Sequence, residues 1–275
     1  MKEIVLYTTG LDSYLTDYFM KKDPRYNQRD ITKVYFDLDS KYSYYEVLFL
    51  NKNYKDITIY NDCEYITLKN IEQENNFIPN RNMMLCTLAQ SIYDADIIYL
   101  NGVKCDRVSD NNYIFRRSLS RTLSISADKE VSIRSILGTK EKATWCRLYA
   151  EDNNNDLQKR LNLATETYSC FKEFDIDSRI ELPNTLITAF EQDNYNNYKE
   201  LKDIKFPGCL NCDACFRKVC ALTGANIYID IIDPSKFKEK FIPLINNKHF
   251  QKIYPARTSS IKKYINFIDS DWEDE

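Results

Sequence analysis

The feature that most constrains this chain is a short apolar run, closed by a small-residue turn and followed at once by a helical pattern. Residues 3–8, Glu-Ile-Val-Leu-Tyr-Thr, end at Thr9-Gly10, and Tyr14, Leu15, Tyr18 and Phe19 follow at helical spacing, which reads as strand, turn, helix. The unit recurs. The run 33–39 precedes a Tyr- and Leu-rich helical stretch to about residue 54, and 56–68 is strand-like. Residues 81–93 place Met84, Leu85, Leu88, Ala89 and Ile92 on one helical face, ahead of the run Asp96-Ile-Ile-Tyr-Leu-Asn-Gly102. A helical stretch over about 112–126, a β-like segment 131–137 and a helix from about residue 141 extend the alternation to roughly residue 150. Strands alternating with helices make a parallel sheet, so the predicted fold class is α/β with a doubly wound parallel sheet.

After residue 150 the pattern changes. Residues 151–165 read as a polar helix, 171–208 as irregular, 209–222 as a helix opening from a cysteine knuckle, 227–232 as one more strand and 269–275 as an acidic tail. The expected organisation is an α/β domain over 1–150, a helical and cysteine-rich region over 151–222 with an insertion, and an extension over 223–275.

Charge narrows the partners. With 38 Lys+Arg against 41 Asp+Glu the net charge is −3, which offers no general attraction to phosphate backbones or anionic lipid. General nucleic-acid binding is not expected. No apolar run approaches the roughly 20 residues of a membrane-spanning helix, so no membrane association is expected either. Glu3 and Asp12 fall where a secretory leader needs a basic and then an apolar run, which predicts a cytoplasmic chain.

In that compartment thiols stay reduced, so nine Cys argue for metal over disulfides. Cys209, Cys212 and Cys215 stand at CxxCxxC spacing, and short spacers let neighbouring sulfurs converge. A tetrahedral Zn2+ needs a fourth ligand; Cys170 is the first choice and Cys220 the competitor. Recruiting Cys170 closes a loop over residues 171–208, about two doublings beyond a ten-residue loop, or roughly 1.2 kcal/mol extra. Structural zinc supplies on the order of 10 kcal/mol. The alternatives are three thiols without metal and an iron–sulfur cluster. Cys63, Cys86, Cys105 and Cys146 are scattered through strand and helix positions as small apolar core residues.

Ligands of open α/β sheets bind at the carboxyl ends of the strands, which directs attention to Thr8-Thr9-Gly10-Leu11-Asp12-Ser13. Small residues there let backbone N–H groups reach an anion. Gly10 can take a positive φ, Thr8, Thr9 and Ser13 carry hydroxyls, and the next helix presents its positive end to phosphate oxygens. Asp12 suits a Mg2+ ligand. A hydroxyl-rich turn that merely caps its helix would look the same. In Phe77-Ile-Pro-Asn-Arg-Asn82, Pro79 sets a turn and Arg81 opens a helix, where a guanidinium can grip phosphate. Lys142, with Lys140, stands near another helix start, where a basic residue opposes the dipole by about 0.3–1 kcal/mol unless an anion lies beside it. Arg116, Arg117 and Arg121 read as a solvated face. His249, the single His, reads as a surface residue, which excludes a His-based nucleophile triad, and Trp145 and Trp272 read as packing and tail residues.

These blocks, taken together, resemble the PP-loop ATP pyrophosphatase superfamily and, within it, the 7-cyano-7-deazaguanine synthase (QueC) family. The superfamily loop Ser-Gly-Gly-x-Asp-Ser is similar to Thr8–Ser13, the block Phe-Val-Pro-x-Arg-Asn to Phe77–Asn82, a Lys-Ala-Glu block to Lys142-Ala-Thr-Trp, and Thr-x-[ST]-Cys-Tyr with CxxCxxC to Thr167–Phe171 with Cys209–Cys215. All four stand in family order. The resemblance implies a PP-loop (HUP-like) domain with a small zinc-binding C-terminal region, and ATP phosphate at Thr8, Thr9, Gly10, Leu11, Asp12 and Ser13. It places adenine near the end of the second strand at Phe36 and Asp37, Asn82 in the nucleotide site, and a zinc on Cys170, Cys209, Cys212 and Cys215. Asp12, Arg81 and Lys142 take the catalytic roles with Mg2+. The implied reaction activates the carboxylate of 7-carboxy-7-deazaguanine with ATP for attack by ammonia, giving amide and then nitrile, in a possible homodimer. Thr9 replaces the middle loop glycine, and the family's Tyr-Pro-Asp-Cys-Arg stretch has no clear counterpart in residues 106–115. Two other readings follow from these departures: a ligase with a macromolecular amine acceptor, and a zinc-stabilised scaffold or sensor without catalysis.

Overall fold

A computed structural model describes residues 1–40, 43–61, 67–68, 70–73, 78–104, 109–170, 187–190, 198–201 and 206–270. The chain divides into two compact units, Met1–Lys140 and Glu141–Glu275.

In the first unit β1 (Glu3–Leu6), α1 (Leu11–Lys22), β2 (Ile31–Phe36), α2 (Ser43–Asn53), β3 (Ile57–Tyr60), α3 (Arg81–Tyr93), β4 (Ile97–Leu100), α4 (Tyr113–Ala127) and β5 (Ser132–Arg134) follow in order. The five strands form one parallel sheet in the order β3-β2-β1-β4-β5. The order reverses between β1 and β4, which opens a crevice at their carboxyl ends. Both strands are buried along their whole length, as strands covered on two faces must be. Alternate residues of each strand enter opposite cores. Ile4, Leu6, Val34, Phe36, Ile98 and Leu100 pack with Cys86 and Ala89 of α3 and Leu119 and Leu123 of α4. Val5, Tyr7, Tyr35, Ile97 and Tyr99 pack with Met20 of α1 and Leu50 of α2. Helices thus cover both faces.

The second unit holds α5 (Lys142–Asp152), α6 (Leu157–Thr165), β6 (Ile187–Phe190), β7 (Tyr198–Leu201), α7 (Asp213–Leu222), β8 (Ile227–Ile229), α8 (Pro234–Asn246), α9 (Lys248–Ile253) and α10 (Pro255–Ser270). A small antiparallel sheet, β7-β6-β8, replaces the irregular stretch expected within 171–208. Its strands are four residues or fewer, too short for periodicity to reveal. Within the second unit α5 packs with the C-terminal helices. Gly224, in the turn after α7, lies so close to the start of α5 that an added β-carbon would sit 2.0 Å from the Ala143 carbonyl oxygen. Phe237 of α8 meets Phe216 of α7 edge-on, stacks on Phe241 of its own helix and packs against Tyr264 of α10. Among the described residues no helix is long and apolar enough to cross a membrane.

Candidate active site and metal centre

The turn after β1 sits at the crevice where strand order reverses. Ser13, fully buried, anchors it. Its Oγ accepts from the Thr8 backbone N–H at 2.9 Å and from Asn101 Nδ2 at 2.9 Å, and lies 3.0 Å from Thr8 Oγ1. A hydroxyl accepts two bonds and donates one, so with both lone pairs engaged Ser13 must donate to Thr8. Thr8 Oγ1, which also accepts from the Gly10 N–H at 3.3 Å, is then left with its own hydrogen to donate outward from an exposed position. Gly10 caps α1 with φ −72° and ψ 160° and no side-chain bond. The expected positive φ is not found: this is extended backbone open to any residue. Leu11 is buried in the core, so only its backbone faces the turn, and Asp12 stands half-buried in the first helical turn.

Thr9 turns inward. Its side chain is 1 % exposed and its hydroxyl donates to Glu46 Oε1 at 2.9 Å, while Tyr35 donates to Oε2 at 2.9 Å. Burial raises the Glu46 carboxyl above its ordinary value; the Tyr35 and Thr9 bonds and the Arg81 charge oppose that, and Asp37 adds to it. Arg81, the first residue of α3, is therefore an electrostatic neighbour of this cluster. Asn82 is buried and donates from Nδ2 to the Asp110 carbonyl at 3.2 Å, tying α3 to the segment before α4. The Phe36 ring lies in the core, edge-on to Tyr60 and Tyr93, so the end of β2 presents backbone, not an aromatic face. Asp37 is half-buried, with its N–H on the Tyr60 carbonyl at 2.9 Å. Phe77 lies outside the described residues.

Asn101, at the carboxyl end of β4, was not singled out by the sequence. Its Nδ2 donates to the Leu6 carbonyl at 2.7 Å as well as to Ser13, which fixes the amide orientation. Its Oδ1 is buried with no hydrogen-bond partner among the described residues. The rule that directs attention to the end of β1 applies equally to the end of β4, the other strand of the crevice. Glu46 also carried a signal, as a lone acid within Tyr44-Tyr45-Glu46-Val47-Leu48-Phe49.

The second unit holds Lys142 and the cysteines. Lys142 is the first residue of α5 and follows Glu141, a buried residue at the N-cap. The Glu141 carboxylate accepts the Ala256 and Arg257 N–H groups at 3.1 and 2.8 Å, capping α10 from outside. An anion supplied by the protein thus stands beside Lys142 at the helix start. Arg116 of the first unit is half-buried and donates to the Asn111 carbonyl, whereas Arg117 and Arg121 are exposed, as is His249.

Sγ atoms of Cys170, Cys209, Cys212 and Cys215 all lie within 4.8 Å of one another. The 3.9 Å between Cys170 and Cys212 compares with about 3.8 Å for tetrahedral ligands at a zinc–sulfur distance of about 2.3 Å. Cys220 is buried elsewhere as a free thiol, so the fourth member is Cys170. Three of the four are buried and Cys212 is half-buried. Hydrogen bonding with Cys170 draws the Cys209 thiol down to about 7, while bonding among the same sulfurs and burial push Cys170 and Cys215 up. Four thiolates cannot share so small a volume unless a cation joins them, and an all-sulfur tetrahedral set suits zinc. The knuckle is built under strain. Leu210 is held at φ 51°, a left-handed conformation costing a branched residue roughly 1–2 kcal/mol, while its side chain is buried and its carbonyl accepts the Ile232 N–H at 3.3 Å. Gly208 is required because a β-carbon there would lie 2.9 Å from Cys215 Sγ. Cys86 and Cys146 are buried, as expected of core residues; Cys63, Cys105 and Trp272 lie outside the described residues.

No family model matches the sequence, and no curated protein matches it. Among solved structures, a predicted subunit of tRNA methyltransferase from Methanocaldococcus jannaschii is similar, with 16 % identity and a TM-score of 0.36 over 54 % of this chain and 73 % of that one.

The second unit also contains a buried cation that the sequence did not single out. Lys218 of α7 is 3 % exposed, and its Nζ donates to the carbonyls of Ala164 at 2.8 Å and Thr167 at 2.5 Å. Burial pulls the ammonium down to about 7, and the charges of Cys215 and Cys170 oppose that shift.

Proposed function

We propose that the chain is an ATP-dependent C–N ligase of the PP-loop type, activating a deazapurine carboxylate, as in 7-carboxy-7-deazaguanine, for attack by ammonia. The observation that carries this reading is the Thr8–Ser13–Asn101 constellation at the strand-order reversal. It leaves a hydroxyl hydrogen on Thr8 directed outward beside an uncapped helix start and a buried acceptor on Asn101 in need of a donor. Helix starts favour anions, and an unmet buried acceptor costs about 1–3 kcal/mol until a ligand group meets it.

A carboxylate is a poor electrophile, and transfer of a phosphate or AMP group from ATP supplies its leaving group. In this reading Thr8 and the N–H groups of the turn bind phosphate oxygens, and Arg81 stabilises charge that develops during transfer. Asp12 would hold Mg2+, which supplies further neutralisation of phosphate charge. The zinc would be structural, since four thiolates leave no open position for chemistry.

The test is incubation with ATP, Mg2+, ammonium and 7-carboxy-7-deazaguanine, followed by mass spectrometry of the base. ATP cleavage coupled to amide or nitrile is expected; neither product would remove this substrate assignment. A second reading, a zinc-stabilised scaffold or sensor, is favoured by Thr9, whose branched side chain is buried against Glu46. Calorimetric titration with ATP separates the two, because the scaffold requires affinity in the millimolar range or weaker.

A further inference from the structure

The two segments that bring cysteines to the metal centre, one ending at Cys170 and the other running from Phe206 through Cys215, are separated in sequence, and one side chain touches both. Lys218 Nζ donates to the carbonyls of Ala164 and Thr167, just ahead of Cys170. It stands 4.3 Å from the centroid of the Phe206 ring, three residues before Cys209. Its own helix, α7, starts at the N-cap Cys212 and carries Cys215. Zinc on four thiolates retains a net double negative charge, and desolvating that charge is costly unless a cation lies nearby. Lys218 follows Cys215 by three residues on α7, the spacing that sets two side chains on one face of a helix.

We infer that Lys218 is the counter-charge and strut of the metal centre, setting how tightly the four cysteines hold zinc. The inference rests on zinc occupying the cluster. Surrounding groups of this kind alter metal affinity by about 10–100-fold when removed. Lysine suits the place because its apolar stem crosses the core while three donors at the tip meet two carbonyls and a ring face.

The experiment compares the unaltered chain with Lys218→Met and Lys218→Arg. Bound zinc is counted by elemental analysis, and affinity is measured by competition with a chromogenic chelator. We expect about one zinc per chain in the unaltered protein, about 10–100-fold weaker binding in the Met variant and recovery to within about threefold in the Arg variant. Met binding as tightly as the parent, or Arg as weakly as Met, would overturn the role of Lys218 alone. An unaltered chain that takes up no zinc would overturn the metal centre and this inference together. Should the Met variant not fold, the parent serves: acetic anhydride should leave Lys218 unmodified in the zinc form and acetylate it after chelation, whereas equal labelling in both forms refutes the shared fastening.

Discussion

Thr9 and Glu46, one in the turn after β1 and the other in the first turn of α2, are joined by a 2.9 Å hydrogen bond from the buried Thr9 hydroxyl to a half-buried carboxyl. The bond accounts for a branched residue at the middle of a turn of small residues, because the side chain enters the interior. Thr9→Val keeps the shape and removes the donor, leaving Glu46 with one partner fewer. The first unit should lose about 1–3 kcal/mol, read as a lower urea midpoint with an unchanged slope. An unaltered midpoint would show that the bond contributes nothing.

Stability should also depend on pH through Glu46. Its carboxyl is raised above 4.5 by burial, so between 4.5 and the raised value the folded chain holds a proton that the unfolded chain has released. This contribution is fully present below about 4.5 and is lost as pH rises through the folded value. Glu46→Gln carries no titrating group and should lack that decline. Denaturation curves from pH 4 to 8 decide it; equal slopes for the two proteins would assign the decline to other groups.

If the proposed ligase reading holds, Arg81 acts on charge that appears only during transfer. Arg81→Ala should then lower kcat by about 10²–10³-fold with a smaller effect on KM. A change confined to KM would make Arg81 a binding residue instead.

At the metal centre, Gly208→Ala places a methyl group against Cys215 Sγ and should weaken zinc retention although no ligand is altered. Cys212→Ser removes a ligand and should release zinc outright, costing the second unit up to about 10 kcal/mol. Elemental analysis after dialysis against chelator reads both. Full zinc in the Ala variant would mean that the knuckle has room which the 2.9 Å contact denies.

Several elements were legible because their signals are local. Strand, turn and helix alternate in the first 140 residues as the apolar periodicity indicates, and three cysteines at CxxCxxC spacing cluster because short spacers allow little else. The nomination of Cys170 also agrees with the geometry, since four sulfurs converge and Cys220 does not join them. The strands β6 and β7 were not legible: each has only four residues, and the sheet they form is completed by β8, which comes from beyond the cysteine knuckle.

The amino-acid order alone determined which segments become strands and helices, which turn closes the first strand, and which thiols are grouped, because each depends on neighbours within a few residues. Tertiary structure alone decided that Asn101 meets Ser13 across 88 positions, that Glu46 accepts from Thr9, and that Lys218 is enclosed between the two cysteine-bearing segments. The physical reason is that a polar group's role depends on what remains to satisfy it once water has been excluded, and that becomes known only when remote parts of the chain have packed around it.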